Sequence, residues 1–201
     1  MSQALSTETQ LLTFEDYLRH DDGTDTRYEL MNGVLVEIPP ASEENNDIAR
    51  KLLFELAKHL PISLLAYRDT EIEVTGRRAT CRIPDLLVHT EASKAAIAGT
   101  TRATITRDMP PPVLVVEVVS PGQTNRERDY RYKHTEYAGR GITEYWIVDP
   151  ETRQVTLCLW VNGQYEDRVY SGAEVLQSTV VPSFELTVAQ IFGWVGDSHQ
   201  D

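Results

Sequence analysis

Apolar residues recur along this chain with two periods, and the period changes at recognisable turn and cap residues. After Ser42 the positions Ile48, Leu52, Leu56 and Leu60 fall every fourth residue, which predicts a helix to about Leu60 that buries one stripe. Thr13, followed by Glu15 and Asp16, predicts an earlier helix start with acidic residues in its first turn. From Tyr28 to Ile38 two apolar runs flank Asn32-Gly33, the pattern of a tight hairpin, and Pro39-Pro40 ends it. Strands are predicted near 64–68, 70–75 and 83–89, and the alternation Glu71-Ile72-Glu73-Val74 predicts one wet face. Residues 91–98 suit a short surface helix, and the Thr-, Arg- and Pro-rich stretch 99–112 a loop. Val113–Val119 is continuously apolar except for Glu117, the pattern of a central strand covered on both faces. Ser120-Pro121-Gly122 ends it, and a helix follows from about Asn125 to Ala138. A buried strand, Glu144–Val148, closes at Asp149-Pro150. Asn162-Gly163 then joins strands at 154–161 and 164–170, and a last helix is predicted near Thr187–Phe192. This order predicts an α/β (α+β) fold, a mixed sheet flanked by helices with an N-terminal hairpin, in a single domain over residues 1–201.

Length and charge narrow the picture. A chain of 201 residues suits one sizeable core. No apolar run approaches the roughly 18 residues needed to cross a bilayer, so no membrane association is expected. Met1–Gln10 is polar and carries no leader pattern. Cys81 and Cys158 lie far apart and form no Cys-x-x-Cys pair, which together with that N-terminus leads us to expect a reduced, cytoplasmic protein. The net charge of −12 argues against a general nucleic-acid binder. Its distribution qualifies that: residues 1–60 carry 5 basic and 12 acidic groups, a balance of −7, and residues 141–201 carry 2 and 9, again −7. Residues 61–140 carry 12 and 10, a balance of +2. Either the acidic ends serve solubility alone, or the middle of the chain supplies a locally basic working surface.

That middle segment holds the candidate chemistry. Glu117 interrupts a run of buried aliphatics, and desolvating a carboxylate costs several kcal/mol unless it is paired or binds a cation. Asp85 follows Pro84 at the start of a predicted strand. On neighbouring strands the two carboxylates would repel one another and accept a hard cation between them. Mg²⁺, with Mn²⁺ as a substitute, suits one or two carboxylates plus water and phosphate oxygens. Lys133 shares a helical stripe with Asp129 and Tyr137, at i, i+4 and i+8. Each residue has a plainer reading. Asp85 can cap its strand or pair with Arg82, and Glu117 can pair with an arginine from 77–82. Lys133 can be a solvated helix lysine, and Asp129 its surface partner. Glu29 is either a third acidic site residue or the partner of Arg27, and Tyr137 and Tyr145-Trp146 read as core. The five histidines show no metal spacing along the chain, and His134 is expected to face solvent.

Taken in order, these segments resemble the Uma-two family of restriction-endonuclease-like proteins, within the PD-(D/E)XK nuclease superfamily. The resemblance runs over about 13–193. It is carried by Tyr28-Glu29-Leu30, Asn32-Gly33, Pro39-Pro40, Ile83-Pro84-Asp85 and Val116-Glu117-Val118-Val119-Ser120-Pro121. It continues through Thr124, Asp129, Lys133 and Tyr137 to Gly141-Ile142-Thr143-Glu144-Tyr145-Trp146-Ile147-Val148-Asp149-Pro150. It implies a restriction-endonuclease-like core, Asp85 and Glu117 as metal ligands, and DNA as substrate. The superfamily's Glu-x-Lys lysine position holds Val119 here, so the resemblance implies that Lys133 on the following helix replaces it. Many relatives carry a histidine early in the long N-terminal helix, where this chain has Asn45-Asn46.

The expected activity is therefore that of an Mg²⁺-dependent DNA endonuclease, Asp85, Glu117 and Lys133 being catalytic. A homodimer would suit cutting of both strands. The competing expectation is an inactive nuclease-fold protein that binds nucleic acid or a protein partner. A glycosidase using the two carboxylates leaves Lys133 without a role, and only 8% of residues are aromatic.

Overall fold

The computed structural model describes residues 11–193; the leader-free reading of Met1–Gln10 and the position of His199 lie outside them. Helix α1 (Phe14–Arg19) starts at Thr13, whose side chain and that of Asp16 cap one another's backbone reciprocally. The hairpin β1 (Tyr28–Met31) and β2 (Val34–Glu37) turns at Asn32-Gly33, both at positive φ, 51° and 84°. Helix α2 (Glu43–His59) is capped by Ser42 and buries Ile48, Leu52 and Leu56. A 3-10 turn leads to β3 (Leu65–Tyr67), followed by β4 (Glu71–Glu73), β5 (Cys81–Arg82), β6 (Leu86–Val88), α3 (Glu91–Ala96), β7 (Thr104–Ile105) and β8 (Leu114–Val118). Then come α4 (Gln123–Glu127), a π-helical stretch Arg128–Lys133, α5 (His134–Arg140), β9 (Glu144–Asp149), β10 (Gln154–Val161), β11 (Gln164–Ser171) and α6 (Val188–Phe192).

The strands form two sheets. The larger has the order β11-β10-β9-β8-β6-β3, and the smaller β2-β1-β5-β4-β7. In the larger sheet β8 and β9 are parallel, with α4–α5 as their crossover, while β6 runs antiparallel to β8 with Leu86 opposite Val116. Both faces of the sheet are covered. Leu86, Val116, Val118, Trp146 and Val148 pack with α2 and α6 on one side. Leu87, Val115, Val119, Tyr145 and Ile147 pack with Tyr137 and with Ile72, Val74 and Ile105 of the smaller sheet on the other. That two-sided cover is why β8 is apolar at almost every position, and all five of its residues are buried.

Several expectations are revised in detail. The stretch 70–75 belongs to the second sheet, and its expected wet face is closed, because Glu71 is buried against Arg102, Thr104 and Tyr17. The expected loop 99–112 contributes β7, which pairs in parallel with β4. No helix among the described residues is long and apolar enough to cross a membrane.

Candidate active site

Asp85 sits one residue before β6, and the antiparallel register carries it to the level of Glu117 on β8. The Val118 N–H donates to Asp85 Oδ2 at 2.8 Å, which ties the carboxylate to the neighbouring strand. Glu117 points to the face that carries Tyr137, since side chains alternate along β8. The Lys133 ammonium lies 2.8 Å from Glu117 Oε2 and 3.1 Å from Asp129 Oδ1. The Tyr137 hydroxyl donates to Glu117 Oε1 at 2.7 Å. Strand and helix thus bring Glu117, Asp129, Lys133 and Tyr137 into one buried group, with Asp85 beside it.

The helix achieves this through its π stretch. In an α-helix each residue advances about 100°, so residues at i, i+4 and i+8 drift by about 40° per step. The wider π turn between Asp129 and Lys133 drifts in the opposite sense, offsetting the α-helical drift from Lys133 to Tyr137. All three side chains therefore stack toward β8.

The structure replaces most of the plainer partners. Asp85 pairs with Arg68, not Arg82: Nε and Nη2 of Arg68 approach Oδ1 at 2.8 and 2.7 Å. Glu117 has no arginine from 77–82 beside it, and Lys133 is buried rather than solvated. Glu29 is buried and accepts from Arg82 Nη1 at 3.0 Å and from the Ile83 N–H at 3.0 Å; Arg27 instead donates to the Arg68 carbonyl. Arg82 also forms a two-pronged pair with Glu136, at 2.7 and 2.9 Å. His134 is half-buried and pairs with Asp167 at 2.9 Å. With the buried Cys158, the strand partner of Asp167, it forms the one His/Cys/Asp/Glu trio among the described residues with ligand atoms within 4.8 Å of one another.

Glu29, Asp85, Glu117, Arg68, Arg128 and Lys133 all line one cleft of about 750 Å³, walled by Glu37–Ser42 on one side and by Ser120, Pro121 and Asn125 on the other. Of Glu29, Asp85 and Glu117, Asp85 is the most open, with 17% of its side chain exposed against 5% for Glu117 and 7% for Glu29. A second hollow of about 290 Å³ includes Tyr17, Glu71 and Arg102, whose charges are already tied to one another.

Electrostatics sets Glu117 apart. Burial, together with the neighbouring Asp85, Asp129 and Glu29, pushes its carboxyl up to about 7 despite the pull of Lys133. Burial works against the Lys133 ammonium, yet Asp129, Glu117 and Glu29 outweigh it and raise its pKa. Burial likewise opposes ionisation of Glu29, but Lys133 and Arg82 hold it below its ordinary value.

The donor set suits one small hard cation. Each carboxylate oxygen offers about two lone-pair sites. Oδ1 of Asp85 spends both on Arg68, whereas Oδ2 spends one on Val118. Glu117 spends one on each oxygen. Three sites stay open on the pair. Glu29, Asp85 and Glu117 do not all bring oxygens within 4.8 Å of one another. Two carboxylates with sites to spare could hold a cation completed by water and substrate, the way Mg²⁺ is usually held.

Three residues make contacts at the site that the sequence does not signal. Arg68 holds Asp85 from a loop position with no local signal. The Asn45 side-chain amide donates to the backbone carbonyls of Val118 and Val119 at 3.3 and 3.2 Å, and the side-chain oxygen Oδ1 of Asn46 accepts from Arg68. The sequence marks those two only by the histidine that relatives carry there.

The same fold occurs in a crystal structure described as a "putative nuclease belonging to DUF820" from Anabaena variabilis. It superposes with a TM-score of 0.67 at 15% identity, covering 90% of this chain and 97% of that one. No curated protein matches the chain. Residues 14–189 match the Uma2 family, described as "Putative restriction endonuclease", and the chain belongs to that family.

Proposed function

We propose that this protein is a divalent-cation-dependent nuclease that hydrolyses phosphodiester bonds of DNA, with Asp85 and Glu117 as cation ligands and Lys133 acting on the reacting phosphate. The observation that carries this reading is the meeting of Asp85, Glu117 and Lys133, from three elements, at one open cleft with carboxylate lone pairs unspent. The family and the Anabaena variabilis structure support a nuclease.

A bound Mg²⁺ supplies polarisation of the phosphoryl group and a water of lowered pKa. The chain's own residues do the rest. Glu117 and Asp129 fix the Lys133 ammonium, so its charge needs no reorganisation as negative charge builds on the phosphate. Tyr137 holds the Glu117 carboxylate in one orientation. Arg82 compensates Glu29, which keeps a third negative charge from repelling the substrate. Arg27 and Arg128 line the same cleft and suit flanking phosphates, which position a nucleic acid without reading its sequence.

The test is cleavage of plasmid DNA by the purified chain with Mg²⁺ or Mn²⁺. Wild-type cutting that disappears in Asp85→Ala is expected. Equal cutting by both proteins overturns the assignment. A wild type that cuts with neither metal but binds DNA in a salt-dependent way is instead a nucleic-acid-binding protein on a nuclease fold.

A further inference from the structure

Arg68 follows β3, and its backbone takes a left-handed conformation at φ 55°, uncommon for a long side chain. Three contacts hold it there. Its N–H donates to the Asp85 backbone carbonyl at 3.2 Å, the Arg27 guanidinium donates to the Arg68 backbone carbonyl, and its Nη1 donates to the side-chain amide oxygen Oδ1 of Asn46 at 2.5 Å. The result is a guanidinium with two nitrogens against a single oxygen of Asp85, at the wall of the cleft. A guanidinium stays charged at any working pH, and its planar fork matches a carboxylate closely.

We propose that Arg68 is the resident counter-ion of Asp85 and sets the affinity of the cleft for a divalent cation. This rests on the reading of Asp85 and Glu117 as cation ligands. Arg68 saturates Oδ1 and leaves one site on Oδ2, so a cation either exchanges with the guanidinium at Oδ1 or binds beside it against like-charge repulsion. In both cases Arg68 opposes loading. Asn46 anchors the guanidinium from α2 and thereby strengthens that opposition. The arrangement keeps Asp85 compensated while the cation is absent, and it makes metal loading, not the presence of the carboxylates, the gate on activity.

The test is Mn²⁺ affinity of the full chain without DNA, read by electron paramagnetic resonance of free Mn²⁺ and by calorimetry. Arg68→Met is expected to bind Mn²⁺ about ten-fold more tightly than wild type, because a nearby positive charge is gone. Arg68→Lys keeps the charge and should stay near wild type, which a purely structural role for Arg68 does not predict. Asn46→Ala, which leaves Arg68 in place, is expected to tighten binding by about two- to three-fold, and it serves where Arg68→Met does not fold. Unchanged or weaker Mn²⁺ binding in Arg68→Met, or in Asn46→Ala where that variant serves, overturns the proposal. If Asp85→Ala still lowers affinity in that case, the cation site itself stands. Wild-type protein that binds no Mn²⁺ overturns both.

Discussion

Two glutamates on adjacent parallel strands meet opposite fates. Glu144 opens β9, is fully buried, and faces the side of the sheet covered by α2 and α6. Its carboxylate accepts from the Trp146 indole at 2.9 Å, the Ser178 hydroxyl at 2.7 Å, the Thr179 hydroxyl at 2.6 Å and the backbone N–H groups of Thr179 and Val180. Every lone pair is used and no cation is present in that set. Glu117 on β8 is buried to a similar degree but accepts from only Lys133 and Tyr137, beside other carboxylates at a cleft. The lesson concerns satisfaction rather than burial. A buried carboxylate with every acceptor site filled is a structural clamp, whereas one with acceptor sites left over in acidic company is prepared for a cation.

The sharpest way to break this contrast is to exchange the two effects. Glu117→Gln and Asp85→Ala are expected to abolish Mg²⁺-dependent cleavage while the protein stays folded; residual metal-dependent cutting by purified Glu117→Gln would dissolve the distinction. Glu144→Ala should do the reverse. It orphans five donors and is expected to cost about 3–5 kcal/mol of stability in urea unfolding, while the folded fraction binds Mn²⁺ as wild type does. A smaller effect comes from Lys133→Met, predicted to slow cleavage by about 10²–10³-fold, the scale of losing one preorganised electrostatic group. Tyr137→Phe removes a single donor from Glu117 and should cost about 1 kcal/mol in transition-state stabilisation, roughly five-fold in rate.

The gentlest prediction is a slope. Burial and neighbouring carboxylates push the Glu117 carboxyl from its ordinary 4.5 up to about 7, so between those values the folded chain holds a proton that the unfolded chain has released. The metal-free protein therefore loses stability as pH rises through that window. Urea midpoints at pH 5 and pH 7.5 should show that loss in wild type and a smaller one in Glu117→Gln. Parallel curves would mean that Glu117 carries no raised carboxyl.

How much of this could be read in the chain depended on how local the cause was. The hairpins at Asn32-Gly33 and Asn162-Gly163 and the caps at Thr13 and Ser42 were legible because turn and cap chemistry acts within a few residues. The two-residue strands β5 and β7 were not, since two residues show no period and exist only through their partners on β1 and β4. Glu117 stood out as one carboxylate among aliphatics. Glu144, at the end of a strand that also read as buried, has no aliphatic run on both sides of it to set it apart, although it is the more completely buried. Lys133 gained its place from the stripe with Asp129 and Tyr137 and from the family resemblance. Arg68 gave no sign at all, because its pairing with Asp85 arises where a loop returns beside a strand 17 positions later.

The π stretch at Arg128–Lys133 has a consequence for how this protein can vary. A π turn is equivalent to one extra residue slipped into an α-helix. Loss of one codon in that stretch would return it to α-helix and leave everything beyond nearly in phase with what precedes it, because the wider turn had absorbed the extra residue. The ammonium would still face β8, with one residue fewer between it and the strand. This helix assigns its lysine by phase, not by count. Descendants of this chain can therefore keep the ammonium in place at a shorter spacing, and aligning them column by column would misplace it.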